Sequence, residues 1–147
     1  MSVREPVGEE HVFALWNGKR CPTTSSARRV LLMHADRTMG ESLALLLRLK
    51  GFASYHTTTL QDFRKTAQAW EPQAFLLDTR LDNRRQYQLI REISAMLGAD
   101  RRLFFAISGL LPEDDVATLK AVGYDGHMRR PSSLWGFVQA LQIFYAY

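Results

Sequence analysis

The stretch that decides the fold is Pro72-Gln-Ala-Phe-Leu-Leu-Asp78, in which an uninterrupted apolar run leads directly to a carboxylate. Two further runs of strand length have the same character, Val30-Leu-Leu-Met33 and Leu103-Phe-Phe-Ala-Ile107. A strand that is apolar at every position is typically buried on both faces. These three runs therefore predict the centre of a parallel sheet with helices packed against both sides.

Helical segments alternate with these strands along the chain. Leucine-rich Glu41–Lys50 ends at Gly51, and Thr59–Trp70 opens with a threonine N-cap before an apolar face at helical spacing. Further helices are predicted at Arg84–Leu97, at Pro112–Val122 and from Ser132 or Ser133 to about Tyr145, with weak strands at Phe52–His56 and Gly126–Met128. Five β-α units from Arg29 onward predict an α/β fold with a five-stranded parallel sheet.

Length and composition restrict the class of protein. The chain has 147 residues, 46% of them hydrophobic and 23% charged, which suits one compact domain and excludes wholesale disorder and fibrous classes. The single cysteine, Cys21, excludes an internal disulfide and a zinc site built on cysteine pairs. No apolar run approaches the roughly 18 residues of a membrane span, and a secretory signal is absent from the first residues, so a cytoplasmic protein without a membrane partner is predicted.

The net charge of +4 is spread along the chain in arginine doublets. Nucleic-acid binders usually gather their positive charge into a stripe, so nucleic acid is not a predicted partner. Neither a Walker A pattern nor GxGxxG occurs, and nucleotide binding has no support from a motif.

The first 28 residues differ from the rest. The apolar run Val12–Trp16 is followed by the turn dipeptide Asn17-Gly18 and by Cys21–Ser26, which has the composition of a linker. We predict an N-terminal extension and linker over residues 1–28 and one domain over residues 29–147. The apolar run needs a surface to cover, either as a strand or tail on its own domain or as a docking element for a partner; the segment could also be a remnant that joins an upstream domain.

Function in a parallel α/β sheet belongs at the carboxyl ends of the strands. Four segments are expected to meet there: His34–Arg37, Asp78–Arg85, Ser108–Pro112 and Met128–Pro131. A carboxylate such as that of Asp78 can act there as nucleophile, metal ligand or hydrogen-bond acceptor, or it can merely cap the next turn.

Together, in this order, these features resemble the receiver domain of two-component response regulators. The resemblance runs from Arg29 to about Tyr145 and implies a flavodoxin-like, doubly wound sheet with helices on both faces. The matching stretches are Val30-Leu-Leu-Met-His-Ala-Asp36 with Glu41-Ser-Leu-Ala-Leu-Leu-Leu47, Pro72–Asp78, Phe105-Ala-Ile-Ser108-Gly109 and Ala121-Val-Gly-Tyr-Asp-Gly-His-Met-Arg-Arg-Pro131.

The resemblance also implies roles for individual residues. Asp78 falls on the aspartate that accepts a phosphoryl group from a histidine kinase, and Ser108 on the hydroxyl residue that moves toward it. His127 falls on the aromatic switch residue, and Pro131 on the proline after the last strand. Arg130 stands where receivers place a lysine.

A second departure concerns the metal. Receivers hold Mg²⁺ with an acidic pair after the first strand, and here those positions are His34 and Ala35. Only two carboxylates remain as ligands for a hard cation: Asp78, and Asp36, which lies one position after Ala35. Mg²⁺ is therefore expected only if the conventional receiver chemistry holds, and no other cofactor is predicted.

The charges of the four segments, extended to Glu113, favour a different arrangement. Six arginines face four acids there: Arg37, Arg80, Arg84, Arg85, Arg129 and Arg130 against Asp36, Asp78, Asp82 and Glu113. We hypothesise that Arg130, together with His34, pairs directly with Asp78 and fills the space of metal and phosphate. Such a pair would lock one conformation. The same charges could instead bind an anion in the crevice, such as a phosphate, a nucleotide or an acidic loop of a partner, or simply keep the surface soluble.

The predicted function is a signalling module, not an enzyme, that acts through protein contacts with weak or no Mg²⁺-dependent phosphorylation. Two alternatives stay open: a conventional phosphorylated receiver, and a flavodoxin-like FMN-binding protein or phosphate-ester hydrolase. The predicted partner is a histidine kinase or another signalling protein. A homodimer through the aromatic last helix is a second candidate, although that helix could instead cover Val12–Trp16. Its aromatic residues are Trp135, Phe137, Phe144, Tyr145 and Tyr147.

Overall fold

The structure is a computed structural model and describes residues 13–22, 27–109, 115–130 and 134–146. Its strands are β1 (Phe13–Leu15), β2 (Arg29–Met33), β3 (Ala53–Thr57), β4 (Ala74–Asp78), β5 (Leu103–Ser108) and β6 (Gly126–Arg129). Its helices are α1 (Arg37–Leu49), α2 (Leu60–Trp70), α3 (Gln88–Leu97), α4 (Val116–Val122) and α5 (Trp135–Phe144). The expectations for Pro112, Glu113, Pro131, Ser132, Ser133 and Tyr147 lie outside the described residues.

The strands form one sheet in the order β1-β6-β5-β4-β2-β3. The strands β2 to β6 run parallel, which confirms the predicted doubly wound α/β fold. The sheet has six strands and not the predicted five, because β1 pairs antiparallel with β6. The order reverses between β2 and β4, and this switch point is where a doubly wound sheet opens a crevice at its carboxyl edge.

Alternate residues of the strands face two separate hydrophobic cores. In β2, Val30 and Leu32 join the core beneath α1 and α5, whereas Leu31 and Met33 join the core beneath α2, α3 and α4. Both sides of the sheet are thus covered by helices. Continuous apolar strands are the consequence of this double burial.

Helix α1 begins at Arg37, four residues before the predicted start. Asp36 is extended and is the N-cap, and its Oδ1 accepts a hydrogen bond of 3.1 Å from the Met39 N–H. The segment from Arg37 to Gly40 forms the first turn of the helix. The N–H groups of a first turn have no partner within the helix, and Asp36 supplies an acceptor for one of them.

Helix α3 begins at Gln88, later than the predicted Arg84. Residues 79–81 and 83–85 form two short 3₁₀ turns, and Gln86 and Tyr87 have positive φ angles of 57° and 58°. The buried carboxylate of Asp82 accepts the N–H groups of Leu89 and Ile90 and so caps the helix from a distance along the chain. The Asp82 carboxylate is therefore engaged in capping α3.

Helix α4 begins at Val116, after the N-cap Asp115, whose Oδ1 accepts the Thr118 N–H at 2.8 Å. The prediction extended this helix back to Pro112. The helix does not include Asp115, because this N-cap residue has an extended backbone, with φ −68° and ψ 160°.

The N-terminal segment packs against the edge of the sheet. The Trp16 indole Nε1 donates to the Tyr124 carbonyl at 2.7 Å, and Lys19 Nζ lies 3.0 Å from the buried Asp125 carboxylate. Burial raises the pKa of Asp125, although hydrogen bonds and the charge of Lys19 oppose the shift. The Cys21 N–H donates to the Phe144 carbonyl, so residues 13–22 contribute to the same core as the strands that follow.

The contact between β1 and β6 depends on a small residue at Gly126. A Cβ at this position would meet the Phe105 ring and lie 2.6 Å from the Ala14 carbonyl oxygen. We expect Gly126→Ala to lower the free energy of unfolding by about 1–3 kcal/mol through overpacking. Gly18→Ala is the matched control, because a Cβ there has no neighbour within 4 Å, and its effect should stay within about 0.5 kcal/mol. Urea unfolding measures both, and equal stabilities would contradict this packing.

Among the described residues, no helix combines the length and the apolar character that crossing a bilayer requires.

Candidate functional site

Asp78 ends β4 at the switch point of the sheet, beside the turn that follows β2. Its side chain is fully buried. The Ala35 N–H donates to Asp78 Oδ2 at 2.9 Å, and the Arg80 N–H donates to Asp78 Oδ1 at 3.0 Å. The carboxylate therefore lies in the crevice at the carboxyl edge, as the sequence predicts, and is oriented by the backbone of both neighbouring turns.

Arg130 forms the predicted ion pair with Asp78. It follows β6, and its Nη1 donates to Asp78 Oδ1 at 2.8 Å and to the Ile107 carbonyl at 3.0 Å. The Arg130 N–H is itself held by the Ser108 carbonyl at 2.8 Å. Backbone contacts to β5 thus position this arginine beside the acid from two strands away.

A second guanidinium on Asp78 comes from Arg80, which the sequence places among the six arginines of the four segments without indicating a partner for it. Arg80 Nη2 donates to Asp78 Oδ2 at 2.6 Å, and Arg80 Nε lies 3.1 Å from each carboxylate oxygen. The 3₁₀ turn after β4 returns residue i+2 over the carboxylate that caps it. An arginine two residues after a capping aspartate was the available signal.

His34 lies near the ion pairs as a neutral side chain. Its Nδ1 accepts the Asp36 N–H at 2.9 Å and lies 3.6 Å from Asp78 Oδ2. Burial lowers the pKa of His34 and outweighs the opposing charge of Asp78. His34 thus lies beside Asp78, as the hypothesis requires, but makes no hydrogen bond to it, because the ring nitrogen nearest the carboxylate accepts the Asp36 N–H.

The two arginines decide the ionisation of Asp78. Burial by itself would raise the pKa of this carboxyl group. The hydrogen bonds from Arg80 and from the Ala35 N–H, together with the charge of Arg130, outweigh burial and hold the pKa of Asp78 below its ordinary value. Asp78 is therefore a carboxylate at neutral pH.

The residues around Asp78 do not fit a magnesium ion. Ala35 has no ligand atom, and its N–H already contacts Asp78. Asp36 uses its carboxylate to cap α1. Within the described parts of the chain, no cluster of three or more His, Cys, Asp or Glu side chains is arranged to hold a metal. Mg²⁺ prefers an octahedron of oxygen ligands, and the groups directed at Asp78 are N–H donors.

Ser108 and His127, the two residues at the switch positions, contact each other. A hydrogen bond of 2.7 Å joins Ser108 Oγ and His127 Nδ1, and both side chains are fully buried. The Trp16 ring lies 5.7 Å from the His127 ring, centre to centre. The N-terminal segment therefore packs directly on this pair. The switch role of these residues stays a prediction.

Solved structures with a similar fold are receiver domains. A response regulator receiver domain protein from Clostridium thermocellum matches with a TM-score of 0.68 and 13% identity, over 80% of this chain and 92% of that chain. The chemotaxis response regulator CheY4 of Vibrio cholerae matches with a TM-score of 0.68 and 14% identity, over 80% and 98%. The beryllofluoride-activated NtrC4 receiver domain dimer matches with a TM-score of 0.67 and 18% identity, over 80% and 96%.

No family model and no curated protein matches the sequence. At these identities the structural likeness shows the fold. The chain has the flavodoxin-like, CheY-like fold of receiver domains, which confirms at the level of fold the resemblance seen in the sequence. The phosphoacceptor role of Asp78 and the associated roles of Ser108, His127 and Arg130 stay predictions.

Proposed function

We propose that the chain is a signalling module of two-component type whose acceptor aspartate is held permanently in an ion-paired state. It acts through contacts with other proteins and takes up phosphoryl groups weakly or not at all. It is not an enzyme in this proposal. The single observation that supports it is the pair of guanidinium groups, from Arg80 and Arg130, on the buried carboxylate of Asp78.

Hydrogen bonding accounts for the expected loss of reactivity. A carboxylate offers about four lone-pair positions. Oδ1 of Asp78 lies within 3.1 Å of three donors, the Arg80 N–H, Arg80 Nε and Arg130 Nη1. Oδ2 likewise lies within 3.1 Å of the Ala35 N–H, Arg80 Nε and Arg80 Nη2. An oxygen must give up donors before it can attack phosphorus, so a nucleophilic attack starts from a stabilised ground state.

Charge neutralisation accounts for the rest. Phosphoryl transfer depends on positioning and on cations that neutralise the transferred group, and a bound metal commonly supplies several kcal/mol of that effect. In this chain the arginines direct their charge at Asp78 itself. The positive charge therefore stabilises the unreacted carboxylate of Asp78 and not a phosphoryl group that is being transferred to it.

The proposed partners are a histidine kinase or another signalling protein. The face of α5 is the candidate surface, because Trp135 is 55% exposed at its start. Phe137, Phe144 and Tyr145 are buried, and the Phe13 ring of β1 packs at Gly136. The aromatic surface available to a second copy of the chain is accordingly smaller than the sequence suggests.

Exposure to acetyl phosphate with Mg²⁺, followed by intact mass, tests the proposal. We expect at most a minor phosphoryl adduct on Asp78 under conditions that fully label a receiver domain with an intact acidic pair, which serves as the positive control. Rapid stoichiometric labelling that is lost in Asp78→Asn would overturn the proposal and favour a conventional receiver.

A further inference from the structure

A cavity of about 250 Å³ opens beside the ion pairs of Asp78. It lies between the first turns of α1 and the carboxyl ends of β5 and β6. One wall is apolar and consists of Met39, Leu43, Ile107 and Met128. The last three of these side chains are buried, whereas Met39 is 48% exposed and forms the rim. The apolar wall can therefore take a short hydrocarbon segment from water without a change in the fold.

The opposite wall of the cavity carries charge. Arg80 and Arg130 line it, with side chains that are 43% and 20% exposed. Arg80 uses Nε and Nη2 to bind Asp78, and its Nη1 makes no hydrogen bond to any residue that the structure describes. A guanidinium with a further donor at the edge of an apolar cavity is suited to a carboxylate.

The amount of charge restricts the ligand. Against the two arginines stands Asp36, which also lines the cavity, and His34 is neutral there. With Asp78, which both arginines contact, the two positive charges are balanced by two carboxylates, so a ligand carboxylate has to compete with Asp78 for guanidinium donors. A monoanion is easier to accommodate at such a site than a phosphate dianion, because it adds less uncompensated negative charge. The volume is below that of ordinary drug-sized sites, so the ligand is small.

We propose that this cavity binds a small amphiphilic monocarboxylate, with its carboxylate on Arg80 and Arg130 and its hydrocarbon part against Met39 and Met128. The inference deepens the proposed function, on which it rests, because the ligand would engage the same arginines that hold Asp78. A bound carboxylate would compete with Asp78 for guanidinium donors. The ion-paired state would then be adjustable by a metabolite-sized acid and not by phosphorylation.

Titration of the whole chain with hexanoate, followed by NMR of the methionine methyl groups, tests this. Among the five methionines, we expect saturable shifts at Met39 and Met128 and none at Met96, which lies on α3. Hexylamine and hexyl phosphate, which share the hydrocarbon part, should produce no saturable shift at these two methyl groups.

Variants distinguish the cavity from non-specific binding. Met39→Glu places a carboxylate on the rim, and Met96→Glu is the matched control at a methionine of similar exposure, 44%. We expect each of two variants to weaken hexanoate binding by at least about tenfold: Met39→Glu through repulsion between like charges, and Arg80→Gln through loss of a hydrogen bond to a charged group. Met96→Glu should leave it unchanged.

The inference is overturned if hexanoate gives no saturable shift at Met39 and Met128, if hexylamine shifts them equally, or if Arg80→Gln binds as tightly as the original chain. Acetyl phosphate labelling of the same samples separates the two proposals. A chain that neither binds hexanoate nor labels rapidly at Asp78 loses only this inference, whereas rapid stoichiometric labelling at Asp78 removes the proposed function.

Discussion

Four substitutions together, His34→Asp, Ala35→Asp, Arg80→Ala and Arg130→Lys, should raise the rate of phosphoryl uptake at Asp78 by at least about 100-fold. The first two supply the carboxylates that receivers use for Mg²⁺. The last two remove the guanidinium groups that occupy both oxygens of Asp78 and leave one compact cation near the transferred group. The measurement is the initial rate of mass gain with acetyl phosphate and Mg²⁺.

Two controls give this result its meaning. Adding Asp78→Asn to the four substitutions should abolish the mass gain, which assigns it to that carboxylate. Replacing Arg84 instead of Arg80 removes the same charge from a position outside the ion pairs, and this version should label more slowly. If the fourfold variant binds Mg²⁺ and still does not label, the arginines are not what prevents phosphorylation.

The second large effect concerns stability. Arg80→Met with Arg130→Met leaves the buried carboxylate of Asp78 without a cationic partner, and we expect a loss of about 3 kcal/mol in the free energy of unfolding at pH 7. Both arginines contribute: Arg80 makes more contacts with Asp78, but it is also the more exposed of the two and is screened more by water. Adding Asp78→Asn should recover most of the loss, since it removes the uncompensated charge. Urea unfolding of the original chain and of these two variants measures the loss and its recovery.

The stability of the original chain and that of the Arg80→Met, Arg130→Met variant should change in opposite directions as the pH falls. In the original chain the pKa of Asp78 is below its value in the unfolded state, which is about 4. Its pairing therefore stabilises the fold above that value, and the contribution is lost as the pH falls further. Without the arginines, burial raises the pKa of Asp78, so stability should increase as the pH falls from neutrality. Asp82 and Asp125, whose pKa values burial raises in both proteins, cancel in the difference.

A stability that is unchanged on removal of both arginines would show that Asp78 is not held by them. A decrease that Asp78→Asn does not reverse would point to lost packing of the arginine side chains instead.

The central sheet could be predicted because its signal is local. Strands such as Ala74–Asp78 are buried on both faces, and double burial leaves an unbroken apolar run that no other element of similar length shows as clearly. The order of strands then brings Asp78 and Arg130 to one edge, so their ion pair follows from topology and charge.

The features that could not be predicted depend on backbone geometry at element ends. Asp36 can serve as a ligand or as an N-cap, and only the conformation of the turn decides between these roles. Arg80 reaches Asp78 because a 3₁₀ turn follows β4, and Asp82 caps a helix that begins well after it in the chain. The pairing of β1 with β6 joins segments from opposite ends of the sequence, which periodicity cannot reveal.

Calorimetric titration of Mg²⁺ into the original chain, the fourfold variant and Asp78→Ala tests most directly whether arginine side chains have replaced the metal at Asp78. We predict saturable binding for the fourfold variant only. Saturable uptake by the original chain that disappears in Asp78→Ala would show that a metal displaces the arginines, and it would contradict a permanently ion-paired Asp78.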